Sequence, residues 1–181
     1  TKGSREVDAC AGAGGKTLHI SNLMQNSGQI VALDTEEWKL TELKLRARRA
    51  GAGNIETRLI DSNKVIKRLE GSADFLLLDV PCSGLGVLKR NPDAKWKLKP
   101  GFLDDVRTKQ AEILDNYCTI VKNTGVMVYA TCSLLPSENQ NQIERFLKTE
   151  NGKQFEKINE QILLPSKHLT DGFYMCKLKR I

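Results

Sequence analysis

What the sequence lacks already excludes several classes of protein. No apolar run approaches the roughly 20 residues that a membrane-spanning helix needs, and no signal peptide opens the chain. There is no internal repeat and no low-complexity tract, which excludes a repeat architecture and a disordered segment. The length suits one domain of ordinary size, and we expect a globular, cytoplasmic protein.

The cysteines do not have the spacing of a metal site. Their number is odd, and no two of them form a C-x-x-C pair. A disulfide framework uses paired cysteines, and a structural zinc site uses closely spaced ones. The sequence therefore predicts a reduced protein that holds no metal. The five positions are Cys10, Cys82, Cys118, Cys132 and Cys176.

The excess of basic residues is modest. The formal net charge is +6 and the isoelectric point is about 9.1. A charge of this size permits a polyanionic partner such as a nucleic acid, but it does not require one.

Strand patterns alternate with helical patterns along most of the chain. The predicted strands cover residues 6–10, 29–34, 54–60, 73–80, 125–133 and 172–181. The predicted helices cover residues 16–26, 36–50, 64–69, 104–122 and 136–148. This alternation predicts an α/β fold with a doubly wound, mostly parallel sheet and helices on both faces. Ligands of such sheets bind at the carboxyl ends of the strands, and the one long irregular segment, residues 81–103, starts at such an end.

The segment DACAGAGGKT, residues 8–17, follows the first predicted strand. It ends like a phosphate-binding P-loop, but Cys10 stands where that motif requires glycine. The dinucleotide fingerprint G-x-G-x-x-G fails too, because Thr17 occupies its third glycine position. What remains is a glycine-rich turn between a strand and a helix, where backbone can approach a ligand closely.

Acidic residues end the next three predicted strands. Asp34 follows the glycines by about 20 residues, the spacing of a carboxylate that accepts hydrogen bonds from a ribose. Asp61 and Asp79 end the third and fourth strands. Any one of them could instead cap the helix that follows. Together they predict an acidic, adenosine-sized site that suits the positively charged cofactor S-adenosylmethionine better than a triphosphate.

Two cysteines lie at the ends of neighbouring strands. Cys82 follows the fourth predicted strand and Cys132 ends the fifth, so both should face one cleft. Cys118 and Cys176 are interpreted as small buried hydrophobic residues. A convergent pair suits methylation at carbon 5 of a pyrimidine, because a thiolate that adds to carbon 6 makes carbon 5 nucleophilic. The thiol must lose its proton to react, and the sequence does not show how.

These motifs together resemble the catalytic domain of RNA 5-methylcytosine methyltransferases of the Nop/Sun family. DACAGAGGKT is similar to the family's cofactor loop D-x-C-A-A-P-G-G-K-T, with Gly12 and Ala13 in place of Ala-Pro. GVLKRNPDAKW, residues 86–96, resembles its R-x-P-D-x-K-W segment. YATCSLLPSEN, residues 129–139, resembles its catalytic-cysteine motif. The missing proline leaves the loop less preset, while the glycines remain.

The resemblance implies a fold, a cofactor and residue roles. The fold is a seven-stranded, Rossmann-like class I methyltransferase domain over residues 1–181, and the family usually carries an additional RNA-binding region on its N-terminal side, which we expect in a longer protein. It implies Cys132 as nucleophile, Cys82 as the residue that assists product release, and Asp79 at the target base. Residues implied in cofactor binding are Cys10, Ala11, Gly12, Ala13, Gly14, Gly15, Lys16, Asp34, Asp61 and Asp79.

The segment after Cys82 is interpreted as an RNA contact. Basic residues neutralise phosphates and an aromatic side chain can stack on an unpaired base. The residues are Lys89, Arg90, Lys95, Lys97 and Lys99 around Trp96. The alternative is a solvated basic loop with Trp96 buried in the core. The basic helix around residues 39–49 is interpreted as a solvated face.

The sequence thus predicts an S-adenosylmethionine-dependent enzyme that methylates carbon 5 of cytosine in RNA, ribosomal or transfer, and acts as a monomer away from membranes. Two alternatives stay open. A P-loop-like NTPase is favoured by the Gly15–Thr17 tail and by Asp79 after its apolar strand, and is opposed by Cys10 and Asp34. A non-catalytic RNA-binding module on the same fold is opposed by the cysteine pair.

Overall fold

The computed structural model describes residues 2–181, without the side chain of Lys97. The strands are β1 (Arg5–Asp8), β2 (Gln29–Asp34), β3 (Ile55–Leu59), β4 (Ala73–Asp79), β5 (Val121–Thr131), β6 (Phe155–Leu163) and β7 (Phe173–Arg180). The helices are α1 (Gly15–Leu23), α2 (Glu37–Arg49), α3 (Asn63–Lys67), α4 (Ala94–Lys97), α5 (Phe102–Tyr117), α6 (Gln140–Phe146) and α7 (Pro165–His168). Single 3-10 turns cover Cys118–Ile120, Pro136–Glu138 and Gly152–Gln154.

The strands form one sheet in the order β3-β2-β1-β4-β5-β7-β6. The first five strands are parallel, whereas β7 runs antiparallel to β5 and β6 antiparallel to β7. The strand order reverses beside β1, which places a ligand crevice between the ends of β1 and β4. The predicted doubly wound, mostly parallel, seven-stranded α/β fold is confirmed.

Alternate residues of β2 enter two different layers of the core. Ala32 packs with Leu43 and Ala47 of α2. Val31 and Leu33 belong to the larger cluster, which includes residues of α3, β4, α5 and β5. Successive side chains of a strand point to opposite faces, so helices cover the sheet on both sides.

Two predicted helices differ from the structure because tertiary contacts override local propensity. The helix predicted over residues 104–122 ends at Tyr117, and β5 starts at Val121, which pairs with Ala73 of β4. The helix predicted over residues 136–148 is broken at Asn139, whose φ and ψ are −117° and −106°. The Asn139 side chain instead hydrogen-bonds Thr131 and the carbonyl of Ser133.

The sequence analysis also missed three elements, one of which is the short helix α7. Strand β6 went unpredicted because its apolar residues are sparse and most of its side chains are exposed at the edge of the sheet. The segment 81–103, predicted to be irregular, contains the short helix α4. Within the described residues, no helix is long and apolar enough to cross a membrane.

Candidate active site

The glycine-rich loop between β1 and α1 is shaped by contacts of its backbone. Gly12 and Gly14 have φ of +53° and +85°, which favours glycine at both positions. A Cβ atom on Gly14 would lie 2.6 Å from Cγ of Leu43, so the loop packs directly on α2. The Arg46 guanidinium donates to the carbonyl of Ala13 at 2.7 Å. Helix α2 therefore fixes the back of the loop, and the start of the loop lies at the ends of the strands.

Asp34 joins this loop to the end of β2. Its Oδ2 accepts the N–H of Gly12 at 2.9 Å, and its Oδ1 accepts the N–H of Glu36 at 2.9 Å. The bond to Glu36 forms a local turn just before α2, where the alternative role of Asp34 as a helix cap would act. The bond to Gly12 is a long-range contact to the glycine-rich loop. Asp61, two residues beyond β3, is exposed and accepts a hydrogen bond from Ser62. Among the described residues, the hydrogen bond of the Asp61 side chain is with its neighbour Ser62 and not with the glycine-rich loop.

Asp8 is a buried carboxyl group beneath the same loop. It is 1% exposed, and its Oδ2 accepts the hydroxyl of Thr17 at 2.7 Å, while its buried Oδ1 has no partner within the described residues. Burial raises the pKa of Asp8 to about 6, with a smaller contribution from Asp79. A buried acceptor without a donor is costly. Asp8 is thus closed to direct contact with a ligand, and it acts on the loop through its hydrogen bond to Thr17 at the start of α1.

The pKa of the Cys10 thiol shows that this part of the site is acidic. Burial raises the pKa of its thiol well above the ordinary value, and Asp8, Asp34 and Asp79 raise it further. Cys10 is thus a neutral thiol rather than a second nucleophile. The negative charges of three carboxylates around this loop would repel a triphosphate. The NTPase alternative requires a triphosphate to bind at this loop.

Lys16 points to the end of β4. Its ammonium lies 2.5 Å from Oδ2 of Asp79 and 5.3 Å from the ring centroid of Phe173. In a P-loop the corresponding lysine reaches phosphate oxygens. Here it neutralises a carboxylate beside Cys132, whose pKa both charges affect.

Cys82 and Cys132 meet at the ends of β4 and β5. Their Sγ atoms are 3.3 Å apart, and both side chains are partly accessible. The thiol of Cys82 can donate to the sulfur of Cys132. This hydrogen bond lowers the pKa of Cys132 to about 7, against burial and Asp79, which raise it. The same hydrogen bond, together with burial, raises the pKa of Cys82. The arrangement therefore favours the thiolate form at Cys132, with the shared proton on Cys82.

Each of these cysteines is followed by a serine, and both serines bond to Glu138. Glu138 accepts hydrogen bonds from the N–H and hydroxyl of Ser83 and from the hydroxyl of Ser133. The sequence analysis missed this buried carboxylate, since Glu138 was interpreted as part of a helix start. The repeated Cys-Ser pair was the signal that could have indicated it.

Two glycines fasten the loop after Cys82 to the strand ends. The N–H of Gly86 donates to the carbonyl of Cys132, and the N–H of Gly172 donates to the carbonyl of Gly86, both at 2.8 Å. A Cβ atom on Gly86 would lie 2.3 Å from the carbonyl oxygen of Gly172. Only glycine permits this close crossing beside the cysteine pair.

The basic segment lies on the surface next to this crossing. Trp96 is 79% exposed, so the alternative that buries it in the core is wrong. The ammonium of Lys95 lies 4.9 Å from the Trp96 ring centroid, and Arg90 forms an ion pair with Asp171 at 2.5 Å. Lys89 and Arg90 line an open cavity of about 680 Å³. The side chain of Lys97 lies outside the described part of the chain.

Comparison with known proteins identifies relatives along the whole chain. Residues 1–179 match the sequence model of the family described as 16S rRNA methyltransferase RsmB/F. The chain is 38% identical to the probable ribosomal RNA small subunit methyltransferase B of Synechocystis and 33% identical to that of Bacillus subtilis. Each alignment covers 96% of this chain and 42% of the relative, so the chain spans less than half their length.

The fold matches solved structures just as completely. The structure of NSun6 from Pyrococcus horikoshii with SFG superimposes with a TM-score of 0.86 at 28% identity, over 98% of this chain and 48% of that one. A methyltransferase homologue from the same organism gives 0.85 at 27% identity, over 100% and 63%. With the family match over residues 1–179, these likenesses lead to one conclusion: the chain belongs to the RsmB/F family of 16S rRNA methyltransferases.

Proposed function

We propose that this chain is the catalytic domain of an enzyme that transfers a methyl group from S-adenosylmethionine to carbon 5 of a cytosine in ribosomal RNA. One observation supports this most strongly: the two thiols lie 3.3 Å apart beside an acidic, glycine-rich loop. An RNA-binding module has no use for a thiol of lowered pKa that is paired with a proton donor.

The loop suits S-adenosylmethionine by its charge and by its backbone. The cofactor would supply an electrophilic methyl group on a positively charged sulfur. Asp34 holds the loop at the end of β2 through the N–H of Gly12 and would accept the hydroxyls of a ribose. The summed negative charge of Asp8, Asp34 and Asp79 around the loop favours a cation. A relative of the same fold binds the S-adenosylmethionine analogue SFG, which supports the assignment.

The cysteines divide the work on the cytosine ring. The Cys132 thiolate would add to carbon 6, which makes carbon 5 nucleophilic. After methyl transfer, a base would remove the proton on carbon 5 and the Cys132 thiolate would leave carbon 6, a release step that Cys82 would assist. Asp79, held by Lys16, would bind the target base at the end of β4. The base must leave any stack to reach this site, so an unpaired or flipped cytosine is expected.

The exposed segment around Trp96 would bind the RNA strand. Lys89 and Lys95 would neutralise phosphates, and the Trp96 ring would stack on an unpaired base. Arg90 forms an ion pair with Asp171. It would therefore contact RNA only with the part of its guanidinium that this ion pair leaves free. The relatives named for small-subunit ribosomal RNA favour this RNA over transfer RNA.

Methyl transfer can be tested directly with the full-length protein. Unmodified small-subunit RNA and radiolabelled S-adenosylmethionine should yield labelled 5-methylcytosine in digested nucleosides. Cys132→Ala should abolish the label, whereas Cys118→Ala, at a buried cysteine outside the site, should retain it. In parallel, calorimetry should detect binding of S-adenosylmethionine and none of ATP with magnesium. Binding of ATP alone, or label on another atom, would contradict the proposal.

A further inference from the structure

A buried carboxylate connects the two cysteine loops. Glu138 is 0% exposed and lies in the 3-10 turn before α6. Its Oε2 accepts the N–H of Ser83 at 2.8 Å and the amide of Gln110 at 3.0 Å. Its Oε1 accepts the hydroxyls of Ser83 at 2.5 Å and Ser133 at 2.6 Å. All four donors are neutral, so the carboxylate is stabilised by hydrogen bonds alone.

These bonds act on the peptide units that carry the nucleophile pair. The N–H of Ser83 belongs to the peptide bond that joins it to Cys82, and Gln110 also donates to the carbonyl of Pro81 at 2.9 Å. The chain around Cys82 is therefore fixed on both sides. Ser133 follows Cys132 in the same way, and its hydroxyl and that of Ser83 are 3.2 Å apart. The two sulfur atoms, at 3.3 Å, repeat this separation one residue earlier.

The carboxylate is itself held rigidly. The hydroxyl of Tyr129 on β5 donates to the carbonyl of Glu138 at 2.7 Å. Asn139 bonds to Thr131 and to the carbonyl of Ser133, so the turn is fastened to the end of β5. A displacement of Glu138 would thus loosen the Cys82–Ser83 and Cys132–Ser133 segments, which lie just beyond the paired ends of β4 and β5. A side chain that only filled space would need no such set of partners.

We infer that Glu138 is a positioning residue that sets the distance between the sulfur atoms of Cys82 and Cys132. It contacts neither sulfur and takes no part in proton transfer. The purpose of the arrangement rests on the proposed function, because both thiols must reach one cytosine ring. Its geometry, however, can be measured without RNA.

The test measures, in the full-length protein, how readily the thiols of Cys82 and Cys132 form a disulfide with each other. Oxidised dithiothreitol converts two thiols to a disulfide: two protons and two electrons leave the cysteines, and the reagent is reduced to its dithiol. The equilibrium fraction of the Cys82–Cys132 disulfide, measured by peptide mass spectrometry, gives the effective concentration of one thiol at the other. Glu138→Gln keeps the shape but can accept only part of the four bonds, so this effective concentration should fall about tenfold or more. Glu144→Gln makes the same chemical change on the exposed side of α6 and should leave it unchanged.

Further readouts separate positioning from a purely structural role. Cofactor affinity and the cooperative unfolding transition of Glu138→Gln should persist, while the methylation rate constant kcat falls and KM for the cofactor stays the same. If Glu138→Gln does not fold, Ser133→Ala takes its place in the test. It removes one of the four donors to Glu138, so the effective concentration should fall by a smaller factor. Wild-type effective concentration in both variants would overturn the inference and leave the proposed function intact. A wild-type protein that fails to methylate RNA, yet shows the Glu138 effect, would contradict only the proposed function.

Discussion

The protonation state of each thiol in this site is determined by burial and by the charged or hydrogen-bonding groups beside it. Cys10 and Cys132 are both thiols near the same edge of the sheet. Carboxylates surround Cys10 and keep it protonated, whereas Cys132 receives a hydrogen bond from Cys82 and its pKa is lowered to about 7. Sequence position alone does not distinguish them, since each follows a strand.

The lowered pKa of Cys132 predicts a pH profile for alkylation. The thiolate is the reactive form, so the rate of reaction with iodoacetamide should rise through about pH 7 at Cys132. In Cys82→Ala the hydrogen bond is lost, and the inflection should move to higher pH. The rates are measured site by site from peptide masses. An unchanged profile in Cys82→Ala would show that another group activates Cys132.

Asp8 predicts a second pH effect, on stability. Its folded-state pKa of about 6 exceeds the ordinary value of 3.8, so between these values the folded state binds the proton more tightly than the unfolded state. The free energy of unfolding should therefore fall as pH rises from 4 to 6, by about 3 kcal/mol relative to Asp8→Asn. Urea unfolding at several pH values checks this, with the exposed Asp104→Asn as control. Parallel curves for wild type and Asp8→Asn would contradict it.

Asp34 predicts an effect on ligand affinity. Removing its carboxylate frees the N–H of Gly12 and also removes the proposed acceptor of the ribose hydroxyls. In Asp34→Ala the dissociation constant for S-adenosylmethionine should rise about tenfold or more. Calorimetry measures it, and Glu150→Ala, at an exposed carboxylate elsewhere, should match the wild type. Equal affinity for all three proteins would remove Asp34 from the cofactor site.

At the scale of elements, parallel strands brought the candidate residues together as expected. β1, β2, β4 and β5 end at Asp8, Asp34, Asp79 and Thr131, and the sequence pattern of apolar runs was sufficient to predict each strand. The turn of Glu138 could not be predicted in this way. Its Pro-Ser-Glu start is typical of a helix, and only the side chain of Asn139, bonded to β5, breaks that helix. β6 was missed because an edge strand needs few apolar residues.

The crossing of Gly86 and Gly172 gives a prediction for an element rather than a side chain. In Gly86→Ala the added methyl group would collide with backbone oxygens of Gly172 and Cys132, which cannot move independently of β7 and β5. The free energy of unfolding should fall by about 1–3 kcal/mol, as measured by urea denaturation. Gly53→Ala adds a methyl group with 4.0 Å to its nearest neighbour, and it should be neutral.

The whole molecule carries two exposed tryptophans that its fold places on different elements. Trp96 lies beside the cysteine loop on α4, and Trp38 lies on α2; each has a lysine ammonium over its ring. Net charge alone could not indicate which surface meets RNA, because basic residues lie near both. We propose Trp96 as the RNA contact because it lies in the segment that follows Cys82.

These two residues form a matched pair for a binding experiment. Trp96→Ala should weaken binding of single-stranded RNA by about tenfold or more through lost stacking. Trp38→Ala removes a ring that is also largely exposed, 66% against 79% for Trp96, and should have no effect. Fluorescence anisotropy at several salt concentrations measures both. Equal losses would place RNA on α2 as well and would contradict the assignment of α2 as a solvated face.

The covalent adduct between protein and RNA tests the central claim most directly. In Cys82→Ala, Cys132 should still attack carbon 6, more slowly at neutral pH because its pKa is higher, but release of the product should be slower still. A denaturant-resistant RNA–protein complex should therefore accumulate on a gel. Cys132→Ala should form none, and the double variant should form none either. An adduct in Cys132→Ala together with its absence in Cys82→Ala would reverse the roles of the two cysteines and contradict the account.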